Sequence, residues 1–203
     1  MPLKKKIIII PDAQVIIDLY RIALWGHVTH SFDIGVTPII IMESRFYRDA
    51  SGAKQPICLM QEIESKTIQK IETSIEQITL LHDLLRSGMQ HPLDAGELEA
   101  IAFLKSQKLD DYIFCSGDAL AIKYIGALGL RHRAISLQKL LEKRSIKAKL
   151  EHKYSDSVFQ MRLNEGFRDA KFLLKVSDET SVSYPIVAKK AVPLRENAGI
   201  LPE

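Results

Sequence analysis

The chain has 203 residues, 46% of them apolar and 26% charged, with a formal net charge of +3 and a pI near 8.8. That balance excludes a disordered or low-complexity polymer and suits one well-covered domain with an appendage, or two small domains. The mild basic excess permits a nucleic-acid partner without specifying one, because phosphate binding depends on local clusters of Lys and Arg.

Lys4, Lys5 and Lys6 precede Ile7, Ile8, Ile9 and Ile10. The lysines imitate a secretory signal, but an apolar run of this length, broken at once by Pro11 and Asp12, falls short of a secretory core or a membrane span. A cytoplasmic protein without membrane contact is the expectation. Cys58 and Cys115 show neither paired spacing nor nearby clustered histidines, so no disulfide framework or zinc site is expected.

The β-branched isoleucines predict a central strand covered on both faces. Pro11 ends it, and Asp12 emerges at its carboxyl end, the edge where open α/β sheets bind ligands. An Asp there also serves as a helix cap. Helical spacing from Val15 predicts one helix to about His30, with Asp18 on a solvated face and Trp25, His27 and His30 as packing and surface residues.

Residues 34–42 read as a second strand, bent or started at Pro38, that delivers Glu43. Residues 44–48 read as the first turns of a helix, 49–54 as a turn, and 57–60 as part of a hairpin inserted at the sheet edge. Apolar residues at three- and four-residue steps predict one long amphipathic helix over 64–86, stopped by Ser87 and Gly88, with a loop from His91 and Pro92. Asp94 followed by Glu97 is a variant of the capping box, which places Glu97 in a first helical turn. The positive helix end there favours an ionised carboxylate.

Asp110 and Asp111 form a turn, residues 112–116 a third buried strand, and Gly117-Asp118 the start of a helix over 119–128 closed by Gly129. A fourth strand over 133–137 and a helix over 137–143 follow. The alternation of strands and helices predicts an α/β fold with a mostly parallel sheet covered on both faces, a three-layer α/β/α sandwich over residues 1–144. Beyond Arg144 the alternation stops. Residues 145–203 read as an extension, with a helix capped by Ser155 or Asp156, strands over 172–176 and 182–187, and a proline-marked end at Pro185, Pro193 and Pro202.

Right-handed crossovers return the chain to one sheet edge, so Asp12, Glu43, Glu97 and Asp118 are expected to converge. Clustered carboxylates repel unless a cation lies among them, and an all-oxygen donor set favours Mg²⁺ or Mn²⁺. Such an ion activates water and neutralises phosphate, which makes phosphodiester hydrolysis the natural chemistry.

At these residues the chain resembles the PIN-domain family of metal-dependent nucleases. The matching pieces are the apolar strand ending in Asp12, the Ile-Ile-Ile-Met-Glu43 run, Leu-Asp-x-Gly-Glu97-x-Glu-Ala-Ile, and Phe-Cys-Ser116-Gly-Asp118, in the family's order over about the first 140 residues. The resemblance implies that Asp12, Glu43, Glu97 and Asp118 hold Mg²⁺ or Mn²⁺, that Ser116 supports them, and that the activity is an endoribonuclease on single-stranded or structured RNA. It also implies kinship with VapC-like toxins and their protein antitoxins. Glu99, two residues after Glu97, is expected to face elsewhere on the helix.

The extension and the inserted hairpin have no counterpart in a minimal toxin. Each is a candidate for a homodimer contact, a substrate guide or a partner surface. Arg45, Arg48, Lys123 and the Arg131-His132-Arg133 cluster are candidate phosphate contacts. The competing readings are a catalytically silent PIN-like module that binds RNA or protein, and a phosphatase-like or receiver-like domain. The phosphatase reading wants a second Asp where Gln14 stands; the receiver reading wants a paired acid and a late strand-end Lys.

Overall fold

The computed structural model describes residues 7–85 and 93–175. Its centre is β1 (Ile8–Pro11), where Ile9 and Ile10 are buried. β2 (Asp33–Val36) pairs with one side of β1 and β6 (Tyr112–Cys115) with the other. β5 (Gln69–Lys70) lies outside β2 and β7 (Ala134–Ile135) outside β6, and every pairing is parallel. The sheet order is therefore β5-β2-β1-β6-β7. The chain leaves β1 in one direction and later returns to its opposite side, so a topological switch point lies at β1, where the carboxyl ends of such sheets open a crevice.

Helices flank the sheet, as the alternation predicts. The first predicted helix is two: α1 (Ala13–Arg21) and α2 (Trp25–Ser31), parted at Ala23, whose φ of 56° breaks the helical path. Asp18 on α1 is buried instead of solvated.

Further local expectations are overturned. The isoleucine run before Glu43 is not a strand: β2 stops at Val36, and residues Pro38–Glu43 form α3. Pro38 occupies the helix start, where its missing N–H costs nothing. The Glu99 carboxylate accepts the next N–H, that of Ile39, at 2.9 Å, so a residue sixty positions away supplies the cap that overrides β-propensity.

Residues 46–48 are not helical. β3 (Phe46–Arg48) pairs with β4 (Lys54–Pro56) in an antiparallel hairpin that forms a two-stranded sheet of its own, while residues 57–60, expected in a strand of the hairpin, are a connection and the first turn of the next helix.

The long helix over 64–86 is also broken. α4 (Leu59–Glu64) ends beside Lys66, which has a φ of 60°. β5 follows, and α5 (Ile75–Leu84) starts anew at a Ser74–Gln77 capping box. The stop signals at Ser87, Gly88, His91 and Pro92 lie outside the described residues.

α6 (Ala95–Ser106), α7 (Ala119–Ala127) and α8 (Leu137–Glu142) match their predicted positions closely. Ser155 caps α9 (Asp156–Arg168), accepting from the Val158 N–H. Residues 172–173, expected in a strand, belong to the short helix α10 (Ala170–Leu173); Val176 and the strand over 182–187 lie outside the described residues.

The segment beyond Arg144 shares the core of the sheet domain, burying Tyr154, Phe159, Leu163 and Leu173 in the same cluster. α9 crosses α7 with backbones in contact: a Cβ on Gly166 would lie 1.9 Å from the Lys123 carbonyl oxygen, and one on Gly126 would lie 2.3 Å from that of Leu163. Among the described residues no helix is long and apolar enough to cross a membrane.

Candidate functional site

Each predicted acid owes its position to a local device. Asp12 follows the last residue of β1 and caps α1, its Oδ1 accepting the Val15 N–H at 2.8 Å. Asp118 stands three residues past β6 and caps α7; the Leu120 and Ala121 N–H groups both donate to its Oδ1, at 2.7 and 2.9 Å. That arrangement does not consume Oδ2. Glu97 reaches back within the first turn of α6 to accept the Asp94 N–H at 3.3 Å. Glu43 arrives on the last residue of α3 with its carboxylate against the Gly96 backbone, which acts to lower its pKa.

These four acids line one cavity of about 420 Å³ at the carboxyl ends of β1 and β6, together with Asp94. Gly96 is what lets Glu43 approach α6, since a Cβ there would stand 2.4 Å from Glu43 Oε2. Ser116 is fully buried; its hydroxyl accepts the Asp118 N–H at 2.9 Å and acts to lower the pKa of the Asp12 carboxyl. The Asp12 N–H, donated to the Cys115 carbonyl at 3.0 Å, ties the ends of β1 and β6 together.

The acids perturb one another. Burial pushes the Asp12 carboxyl above its ordinary value, against hydrogen bonds from Ser116, Val15 and Gly117, with the Asp118 charge adding to the rise. Partial burial raises Glu43, and the Asp94 and Asp12 charges raise it further. Glu97 is pushed up to about 8, first by burial and then by the charges of Asp118 and Asp12. Such coupling is what carboxylates show when they crowd one space with no arginine among the described lining residues.

The cavity also holds residues that the sequence does not announce. Lys153 and Tyr154 line it from the extension, and the Tyr154 ring packs so close over Gly117 that a Cβ there would lie 2.4 Å from it. The Tyr154 hydroxyl donates to the buried Asp18, which also pairs with Arg21 at 2.9 Å and Lys153 at 3.6 Å. Lys153 further pairs with Glu151 at 3.3 Å. The cavity's one lysine is thus held by acids outside it. Asp94 was legible only as a cap; nothing in the local sequence marks Lys153 or Tyr154.

Glu99 is buried on Ile39 and outside the cavity lining, as its helical offset predicts. Among the candidate phosphate contacts, Arg45 and Arg48 are exposed. Lys123 pairs with Glu165 at 3.0 Å and Arg131 bonds Asn164 at 2.8 Å. Arg133 is a correction: it is buried and donates to the Leu104 and Gln107 carbonyls at the end of α6, so its guanidinium closes a helix.

Among the described residues, no group of three or more His, Cys, Asp or Glu side chains stands so placed that it could hold a metal ion. The chemistry of the cavity nonetheless fits a hard divalent cation. Its donors are carboxylate oxygens, and a cation would offset both the burial that chiefly raises Asp12, Glu43 and Glu97 and the smaller repulsion among them. No family model, curated protein or solved structure matches the chain.

Proposed function

We propose that this protein is a Mg²⁺- or Mn²⁺-dependent endonuclease of PIN-like, three-layer architecture, acting on RNA phosphodiesters at the Asp12–Glu43–Glu97–Asp118 cavity. The observation that carries the reading is the common cavity itself: acids from four separate stretches of the chain meet at the switch point, and each raised carboxyl there is raised partly by another member of the set.

Asp12, Glu43, Glu97 and Asp118 would hold the ion, with Asp94 at the rim. When bound, a divalent ion of this kind supplies a water of lowered pKa and neutralises charge on the phosphate. The chain's own contribution is positioning. The cap bonds fix the Asp12 and Asp118 carboxylates on their helix ends, the Asp12 N–H bond to the Cys115 carbonyl joins those two ends, and the Ser116 hydroxyl accepts the Asp118 N–H. Tyr154 closes one wall with an aromatic face, and its hydroxyl stays protonated, because burial and the Asp18 carboxylate hold the phenol well above its ordinary pKa.

The test is cleavage of mixed single-stranded RNA and DNA by purified protein, with and without Mn²⁺, beside Asp118→Asn. Metal-dependent RNA cleavage that the variant loses supports the nuclease. Cleavage that survives the substitution, or oligonucleotide binding without cleavage, overturns it; the second outcome favours the silent binding module.

A further inference from the structure

The β3–β4 hairpin has two unlike faces. Opposed residues on an antiparallel ribbon share a face, and the register sets Phe46 against Pro56, Tyr47 against Gln55, and Arg48 against Lys54. The Tyr47 face turns inward: its ring lies 5.8 Å from that of Tyr20, which stacks on Trp25 at 5.5 Å. Both Tyr20 and Trp25 donate to Glu62, so this side is anchored to the body of the protein.

The other face points to solvent. Phe46 is 43% exposed there, beside exposed Arg48, Lys54 and Pro56, and Lys54 Nζ sits 4.2 Å above the Phe46 ring. The acid of the hairpin, Asp49, is engaged inside the turn, accepting from Ser51, Ala53 and Gln55, and those bonds hold its carboxyl down to about 2. Arg48 reaches only the Gly52 carbonyl, at 2.9 Å. Among the described residues, neither Arg48 nor Lys54 has a carboxylate in an ion pair.

We propose that this outward face guides single-stranded nucleic acid to the acid cavity, with an unpaired base on the Phe46 ring and neighbouring phosphates on Arg48 and Lys54. The inference rests on the nuclease reading for its purpose and narrows the substrate to an unpaired strand. An aromatic face joined to cations is the chemistry of single-strand binding; a duplex keeps its base faces stacked and offers the ring nothing. The reach is right as well. Phe46 follows the cavity residue Glu43 by three positions, at most about 10 Å of chain, a span of one or two nucleotides. The anchored inner face gives the guide a fixed platform, and Lys54 already covers the ring that a base would share with it.

The test uses the full chain in EDTA with fluorescein-labelled dodecauridylate, read by anisotropy across a salt series, beside Phe46→Ala, Phe46→Tyr and the double variant Arg48→Gln/Lys54→Gln. Phe46→Ala is expected to weaken binding roughly tenfold while Phe46→Tyr keeps it. The double variant is expected to flatten the logarithmic salt slope by roughly 1.4, two phosphates' worth for a single strand. A duplex of equal length should bind more weakly than the single strand and respond little to Phe46→Ala.

Unchanged Kd across the variants, or equal affinity for duplex, overturns the guide and leaves the face to a protein ligand. The two readings fail separately. Variant-sensitive binding in a protein that never cleaves sinks the nuclease and keeps the guide. Cleavage abolished by Asp118→Asn, with hairpin variants that bind like the parent, does the reverse.

Discussion

Glu97→Gln is the sharpest probe of the acid cavity, because it removes a charge while leaving an amide oxygen to accept the Asp94 N–H. Glu97 is a carboxyl whose folded-state pKa is raised, from 4.5 to about 8. The folded protein therefore holds a proton that the unfolded chain releases, and stability falls as pH rises from about 4.5 to about 8. Between 4.5 and neutral pH the loss is about 3 kcal/mol at 1.36 kcal/mol per pH unit. Halving this for a side chain only half buried leaves about 1–2 kcal/mol. In EDTA at pH 7.5, Glu97→Gln is expected to melt about 3–6 °C above the parent by differential scanning fluorimetry. The gap should close as pH falls through 4.5, below which the parent's carboxyl is protonated in both states. Added Mn²⁺ should reverse the order, since a ligand that binds only the folded parent at a hundred times its Kd adds about 2.7 kcal/mol. A variant gap independent of pH, or an equal response of both proteins to Mn²⁺, refutes the crowded-carboxylate reasoning.

Gly96→Ala places a methyl against a movable carboxylate, 2.4 Å from Glu43 Oε2. Its expected signature is a lost Mn²⁺ response and reduced cleavage with a melting temperature within about 3 °C of the parent, because a side-chain end can swing away at little cost. Gly166→Ala meets backbone instead, the Lys123 carbonyl oxygen at 1.9 Å. Prising α9 from α7 there is expected to cost about 2–3 kcal/mol in chemical denaturation, with metal binding weakened as Lys153 and Tyr154 shift. Tyr154→Phe deletes the bond to buried Asp18 but leaves Arg21 and Lys153 beside that carboxylate. About 1–2 kcal/mol of stability should go, measured by the same denaturation.

What the sequence made legible follows from how far each signal reaches. The strands β1 and β6 were readable because a strand covered on both faces needs an unbroken apolar run, and Ile7–Ile10 and Tyr112–Cys115 provide one. The same logic failed at residues 39–41: three isoleucines look like a strand, yet Ile40 alone of them is fully buried, and the helix is decided by Pro38 and by Glu99 from α6. Glu43 still reached the cavity, because α3 runs from the end of β2 along the same edge of the sheet. The break of the predicted long helix had one readable cue, the Ser74–Gln77 box. The backbone reversal at Lys66 had none, since a lysine in the left-handed region is held there by its surroundings. Lys153 and Tyr154 were beyond reach for the same kind of reason. They enter the cavity through the α7–α9 crossing, which depends on two glycines forty positions apart meeting opposite backbones.

Capping is compatible with the metal-binding role proposed for these acids. A helix that starts just past a strand's carboxyl end presents its amino terminus to the crevice, so the acid that caps it is also an acid that lines the cavity. The two roles differ in electrostatics. A carboxylate that only caps or closes a turn is stabilised as an anion, and Asp49 displays this on the same chain: its bonds from Ser51, Gln55 and Ala53 bring it down to about 2. Glu97 also accepts a backbone N–H, yet its carboxyl moves the opposite way, to about 8, because burial and the charges of Asp118 and Asp12 outweigh the cap. Local hydrogen bonding accounts for where the cavity acids stand. Burial and, after it, their mutual repulsion are what a cation bound under the proposed function would offset.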